Sequence, residues 1–286
     1  MGIADVFRGS KLGLSFELFP PKTEEGVTAL MQTVRELCQF QPDFFTCTYG
    51  AGGSTQDRTL QVASTVKREF GVPVASHLTC VGSTVDDLRR YLTTAMQQGI
   101  DYIVALRGDP PKGETSFRPV DGGLRYANEL VQLIRTEFPQ YGIAVAGYPE
   151  VHQEAVNAEE DLKNLKRKVD AGGDIVVTQL FYKNEDFFRF RDRCTDLGIN
   201  VPIVPGILPV TNLAQIQRIA SLCKASLPQS FVDRLGEKDD AAWQYSVGVE
   251  FAQQQVSELI QAGVPGIHYY VLNKSQATAA VLKAHH

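Results

Sequence analysis

A chain of 286 residues, 43% hydrophobic and 21% charged, is long enough to bury a sizeable core without disulfides or a structural metal. Its formal net charge of -5 provides no basic footprint for nucleic acid, and no apolar run of about 18 residues marks a membrane span. The five cysteines, Cys38, Cys47, Cys80, Cys194 and Cys223, are odd in number and never arranged as CxxC, which points to a reducing cytoplasm and away from a zinc site.

Runs rich in Val, Ile, Phe and Tyr alternate with longer segments of helical period, the pattern of βα units around a parallel sheet. Strands are predicted over residues 14–19, 43–49, 72–80, 101–107, 142–148, 174–181, 201–208 and 266–272, each followed by a helix. Gly99, Gly172 and Gly198 sit where a helix C-terminus favours a left-handed residue. Eight alternations predict an α/β fold, a single (βα)8 TIM barrel over residues 1–286 with no regulatory domain. A doubly wound sheet would carry GxGxxG after its first strand, and none stands there. Two connections are long. GDPPKGETSFRPVDGG, after the fourth strand, reads as an extended loop at the active face. Residues 227–263 hold the pattern of one short and one long extra helix before the last strand.

In a barrel the chemistry sits at the C-terminal ends of the strands. Alternation in LSFELF puts Ser15, Glu17 and Phe19 on one face and the wholly apolar Leu14, Phe16 and Leu18 on the other. The apolar set packs on helices, so Glu17 points into the barrel, where lost hydration raises a carboxyl pKa. It is either a proton donor or the buried partner of a lysine or arginine. The second strand runs into Gly50, Gly52 and Gly53, which allow close backbone approach, with Ser54 or Thr55 free to cap the next helix. His77 lies within the third strand, where a satisfied core histidine is the ordinary case, and no second ligand spacing supports a metal. Arg107 and Asp109 end the fourth strand, as an internal ion pair or as an anion anchor and a carboxylate suited to a cationic intermediate. The end of the fifth strand presents Tyr148, Glu150 and His152, and the sixth carries Gln179, an uncharged donor and acceptor suited to reading a heterocycle edge. Asp161, Asn164 and Lys168 share a helix face. The run KNLKRK, residues 163–168, is by itself a solvated helix face.

The stretches FELFPPKT, TYGAGG, SHLTC, ALRGDPP, YPEVH, DLKNLKRKVDAG, TQLFY, FRFRDRC, PGILPV and HYYVLNK occur in that order along nearly the whole chain. Together they resemble the 5,10-methylenetetrahydrofolate reductases in their short bacterial form. The resemblance implies an FAD-containing barrel that takes a hydride from NADH or NADPH and passes it to methylenetetrahydrofolate. The product would be 5-methyltetrahydrofolate, feeding methionine synthesis, and the kinetics ping-pong. It also implies a cytoplasmic homo-oligomer acting on small molecules.

Position by position, Glu17 is similar to the family's general acid and Asp109 to the carboxylate beside flavin and folate. Gln179 and Gln215 match substrate contacts. Lys274 stands where the family carries an arginine for the benzoylglutamate tail, and Ile219 where it carries an aromatic. The FAD positions that the resemblance implies are Thr48, Tyr49, Ala51, His77, Arg107, Gly108, Asp109, Ala127, Tyr148, His152, Asp161, Asn164, Arg167 and Lys168. On that reading Arg167 and Lys168 face the anionic part of FAD while Lys163 and Lys166 stay solvated. Competing classes are an aldolase or pterin-dependent methyltransferase barrel, a non-catalytic flavin- or folate-binding protein, and a reductase that works without flavin. An aldolase would want a strand-end lysine or a metal, and a mere binder would not keep Glu17.

Overall fold

The computed structural model describes residues 2–48, 56–110 and 117–285. Nine strands, all paired in parallel, build its sheet: β1 (Gly13–Leu18), β2 (Phe44–Cys47), β3 (Val74–Thr79), β4 (Tyr102–Leu106), β5 (Gly142–Gly147), β6 (Ile175–Thr178), β7 (Ile203–Val204), β8 (Gly206–Ile207) and β9 (Gly266–Tyr270). Their order is β7-β6-β5-β4-β3-β2-β1-β9-β8, a nearly closed barrel. Helices follow as α1 (Glu24–Cys38), α2 (Gln56–Phe70), α3 (Val85–Gln97), α4 (Ala127–Glu137), α5 (Ala158–Asp170), α6 (Asn184–Asp196), α7 (Leu213–Cys223), α8 (Gln229–Gly236), α9 (Ala241–Gln261) and α10 (Gln276–Lys283). The expected barrel is therefore found, including the short and long extra helices, α8 and α9.

Two local expectations need correction. The predicted seventh strand is split at Pro205, which has no N–H to give to a ladder. Its upstream half, β7, pairs with β6 and its downstream half, β8, with β9. At the break itself the Pro205 carbonyl accepts from the His268 N–H at 3.0 Å. Phe19 does not continue the inner face of β1. The strand stops at Leu18, and the Phe19 backbone is tied on both sides to the Asn273 side chain.

Alternation divides the core in two. Leu14, Phe16, Leu18, Ile103, Ile143, Val145 and Ile267 face outward into the large helix–sheet cluster. Phe44, Ala75, Tyr102, Val104, Ala144, Ile175 and Val204 fill the lower interior. A 3-10 turn, Asp5–Phe7, seals that end with Val6 and Phe7, helped by Ile3. Helix starts are fixed locally: Thr23, Thr84, Asn157, Asn212 and Asp240 each accept a backbone N–H from their own first turn, satisfying donors a helix leaves orphaned.

One device recurs around the closed end. Asp43, Asp101 and Asp174 each accept a backbone N–H from the first or second residue of the preceding strand, Leu14, Val74 and Ile143, at 2.7–3.0 Å. Each also gives its own N–H to that same residue's carbonyl. A cation then holds each carboxylate, Lys11 at 3.7 Å, Lys67 at 2.7 Å and Arg135 at 2.7 Å.

Candidate active site at the open end of the barrel

With the lower interior packed, polar inward positions remain only higher up. Glu17 is 8% exposed, and its Oε2 lies 3.4 Å from Nε2 of His77 on β3. The expected lysine or arginine partner is replaced by histidine. Burial raises the Glu17 carboxyl to about 8 and lowers the His77 imidazole to about 4, because low-dielectric surroundings disfavour either charged form. At neutral pH the pair is thus a protonated acid beside a neutral ring. A second pair lies below it, Ser15 Oγ at 2.8 Å from His268 Nδ1, with His268 likewise kept neutral by burial, its pKa down at about 3. Thr46, the register neighbour of Glu17 on β2, is buried with its hydroxyl unpartnered.

A second group gathers at the ends of β4 and β5. Arg107 is not paired with Asp109. Its guanidinium meets the Glu154 carboxylate through two bonds, 2.8 and 2.6 Å. Asp109 is exposed, and Gly108 between them has φ +91 with no room for a Cβ, which would fall 2.8 Å from Val81. The Tyr148 and His152 rings meet edge-on at 4.6 Å, and Asp161 fixes the loop by accepting the His152 N–H at 2.9 Å. Lys168 runs inward from α5 to the Ala146 carbonyl, 2.5 Å away, with its ammonium 5.8 Å from the Tyr148 ring. Burial lowers its pKa to about 8.

The other predicted positions spread more widely. Asn164 and Arg167 are exposed and bonded to each other, and Arg167 also reaches Glu160 at 2.9 Å. Lys163 and Lys166 pair with Glu159 and Asp170. Ala127 begins α4, and Thr48 follows β2, its carbonyl accepting the Thr59 hydroxyl at 2.8 Å. Tyr49, Ala51 and the glycine turn lie outside the described residues, as does part of the long loop after β4. Gln179, expected inside the sixth strand, instead follows the end of β6, and its side-chain oxygen accepts the Leu180 N–H at 2.9 Å. Gln215, Ile219 and Lys274 all line one cleft of about 300 Å³ between α7 and the end of β9, with Tyr270 in its wall. Among the described residues no three His, Cys, Asp or Glu side chains converge as metal ligands, and no helix is long and apolar enough to cross a membrane.

Sequence reasoning missed Ser15 with His268, the orphaned Thr46, Glu154 and Tyr270. The signal was present for two of them: extending the Ser15/Glu17 alternation to GIHYY puts His268 and Tyr270 on the same inner face.

A parallel barrel with its polar side chains and cleft at the strand ends has the layout of a (βα)8 enzyme. Comparison with known proteins narrows the class. Residues 3–286 match the family model for methylenetetrahydrofolate reductase, and the chain belongs to that family. It is 41% identical over 272 residues to 5,10-methylenetetrahydrofolate reductase of Escherichia coli (strain K12), covering 95% of this chain and 90% of that one. It is 39% identical to methylenetetrahydrofolate reductase (NADH) 1 of Arabidopsis thaliana, over 98% of this chain but 49% of that one. The chain thus spans about half the length of such plant relatives. Among solved structures, an uncharacterized protein from Clostridium thermocellum, titled as binding two copies of 5-methyl-5,6,7,8-tetrahydrofolic acid, matches with TM-score 0.66 at 14% identity over 99% of this chain and 98% of that one. That likeness speaks to the fold alone.

Proposed function

We propose that the protein reduces 5,10-methylenetetrahydrofolate to 5-methyltetrahydrofolate with a nicotinamide reductant and FAD. The observation that carries this reading is the Glu17 carboxyl, buried inside the open end of the barrel 3.4 Å from the His77 ring with no cation against it among the described residues, where burial favours its protonated form. Family membership and the relatives' printed activity supply the substrate class, and the plant relatives' names carry NADH.

The residues at the β4 and β5 ends fit FAD. Arg107 and Lys168 are cations able to meet its pyrophosphate, Tyr148 offers an aromatic face, and Gly108 lets the ligand approach the backbone. When bound, FAD supplies a two-electron carrier between the nicotinamide and the folate. Glu17 holds the proton that a ring nitrogen of methylenetetrahydrofolate needs if the five-membered ring is to open. A proton held at about pKa 8 is available across the neutral range yet transferable. Opening the ring leaves an iminium cation on the folate, and the exposed carboxylate of Asp109 favours that charge by opposite sign. Gln179 reads the heterocycle edge, and Lys274 at the cleft rim attracts the carboxylates of the tail. A lysine there is a point charge rather than a planar fork, so tail geometry is less tightly specified.

Stopped-flow separation of the two half-reactions tests the reading. Glu17→Gln should keep flavin and still bleach with NADH, while its folate half-reaction falls by roughly 100- to 10,000-fold. A folate-step loss below about tenfold would remove Glu17 from the role.

A further inference from the structure

The barrel closes through a broken strand, and the break is bridged from above. In the backbone ladder β7 pairs with β6, and β8 with β9. Tyr270, the last residue of β9, reaches across: its hydroxyl donates to the Thr178 carbonyl at the end of β6, 2.7 Å away. The ring passes over Gly206 to get there. A Cβ at Gly206 would stand 2.6 Å from the Tyr270 ring and 2.2 Å from the Thr178 carbonyl, so no other residue leaves the path open. Thr178 reciprocates, its hydroxyl accepting the Gly206 N–H at 3.0 Å. Tyr270 is also the register partner of Glu17 across the β1–β9 ladder, its ring meets His268 edge-on at 5.2 Å, and it lines the 300 Å³ cleft.

We propose that Tyr270 is a positioning residue: it clasps the split strand to β6 and walls the Glu17 carboxyl off from water in the cleft, with Gly206 as the seat of its ring. The proton donor stays dry only while that wall is shut. Its remaining titratable surroundings do not supply the same effect. His77 on β3 is neutral and 3.4 Å away, His268 on β9 is neutral and engaged with Ser15, and the thiols of Cys47 on β2 and Cys223 on α7 are kept protonated by burial. None of these brings a charge that would hold a carboxyl protonated, so exclusion of water is the operative cause.

The consequence for rate rests on the reading of Glu17 as acid, and two readouts separate the two ideas. The first is infrared titration of the FAD-loaded enzyme without folate, following the carbonyl band of a protonated carboxyl assigned by its loss in Glu17→Gln. Tyr270→Phe should lower that midpoint by about one pH unit or more, a tenfold change in proton affinity, and Gly206→Ala should lower it too. The second is the high-pH limb of the folate half-reaction, which should move by the same amount. An unchanged midpoint in Tyr270→Phe, with a rate loss equal at every pH, overturns the proposal. A midpoint that shifts while the limb stays fixed upholds Tyr270 and instead removes Glu17 as the acid. Should Gly206→Ala not fold, Tyr270→Phe, which loses one oxygen, decides alone.

Discussion

At the scale of single residues, the proposed chemistry depends on a glutamate and a histidine that burial keeps uncharged near neutral pH. Glu17 has a folded pKa raised from 4.5 to about 8. Its contribution to stability is therefore complete below the unfolded value and lost as pH rises through about 8. His77, lowered from 6.5 to about 4, contributes above 6.5 and loses that contribution as pH falls through about 4. Between those limits the pair is neutral. The folate half-reaction should consequently run at constant rate through neutral pH and fall tenfold per unit above about 8, as single-turnover rates across a pH series would show. A flat profile to pH 10 would contradict a carboxyl donor. The role proposed for Asp109 is different and rests on its charge. Asp109→Asn should slow folate reduction by roughly tenfold, about 1.4 kcal/mol of barrier, and leave flavin reduction by NADH comparatively intact. Equal rates for parent and variant in both halves would exclude the electrostatic role.

At the scale of elements, the repeated aspartate clasp is what joins one βα unit to the next. Each of Asp43, Asp101 and Asp174 ties the N-terminus of one strand to the residue entering its neighbour and collects a cation from a helix or loop. Removing the carboxylate strands a backbone N–H and an ammonium together. Asp101→Ala is expected to cost about 1–3 kcal/mol, measurable as a lower denaturant midpoint with the m-value unchanged. The site residues sit at the opposite end of the same strands, so FAD affinity should change little. The clasp was not read from the sequence, because an aspartate before a strand looks like ordinary turn chemistry until the neighbouring strand's free N–H is seen beside it. The split of the seventh strand was equally hidden: VPIVPGIL has a continuous apolar pattern, and only the pairing of each half with a different neighbour separates β7 from β8.

For the molecule as a whole, the two ends of the barrel divide the labour. The lower interior is apolar and plugged by the 3-10 turn, and the upper interior is polar and open. Phe7, 4% exposed, meets Phe44 edge-on at 6.0 Å and closes the floor. Phe7→Ala should destabilise by about 3–5 kcal/mol and lower Tm by roughly 10 °C, as calorimetry would record, while the site above keeps its geometry. If the melting point held, the plug would be dispensable and the inner layer self-sufficient. The floor also closes the lower side of the barrel, so Glu17 faces only the open end, as its proposed role as proton donor requires.

What the sequence determined by itself is everything set by local periodicity and chain order: the eight-fold alternation, the two extra helices, the inward face of β1, and the set of polar residues at strand ends that mark the family. Glu17 was legible because its flanking residues Phe16 and Leu18 are apolar and a strand can turn only one face to the core. Tertiary structure decided the partners. That Arg107 meets Glu154, that Glu17 meets His77 rather than a cation, and that Tyr270 spans a broken strand over Gly206 all depend on side chains far apart in the chain. Closure of the barrel brings them together, and no period of two or 3.6 residues encodes which strand ends become neighbours across the mouth.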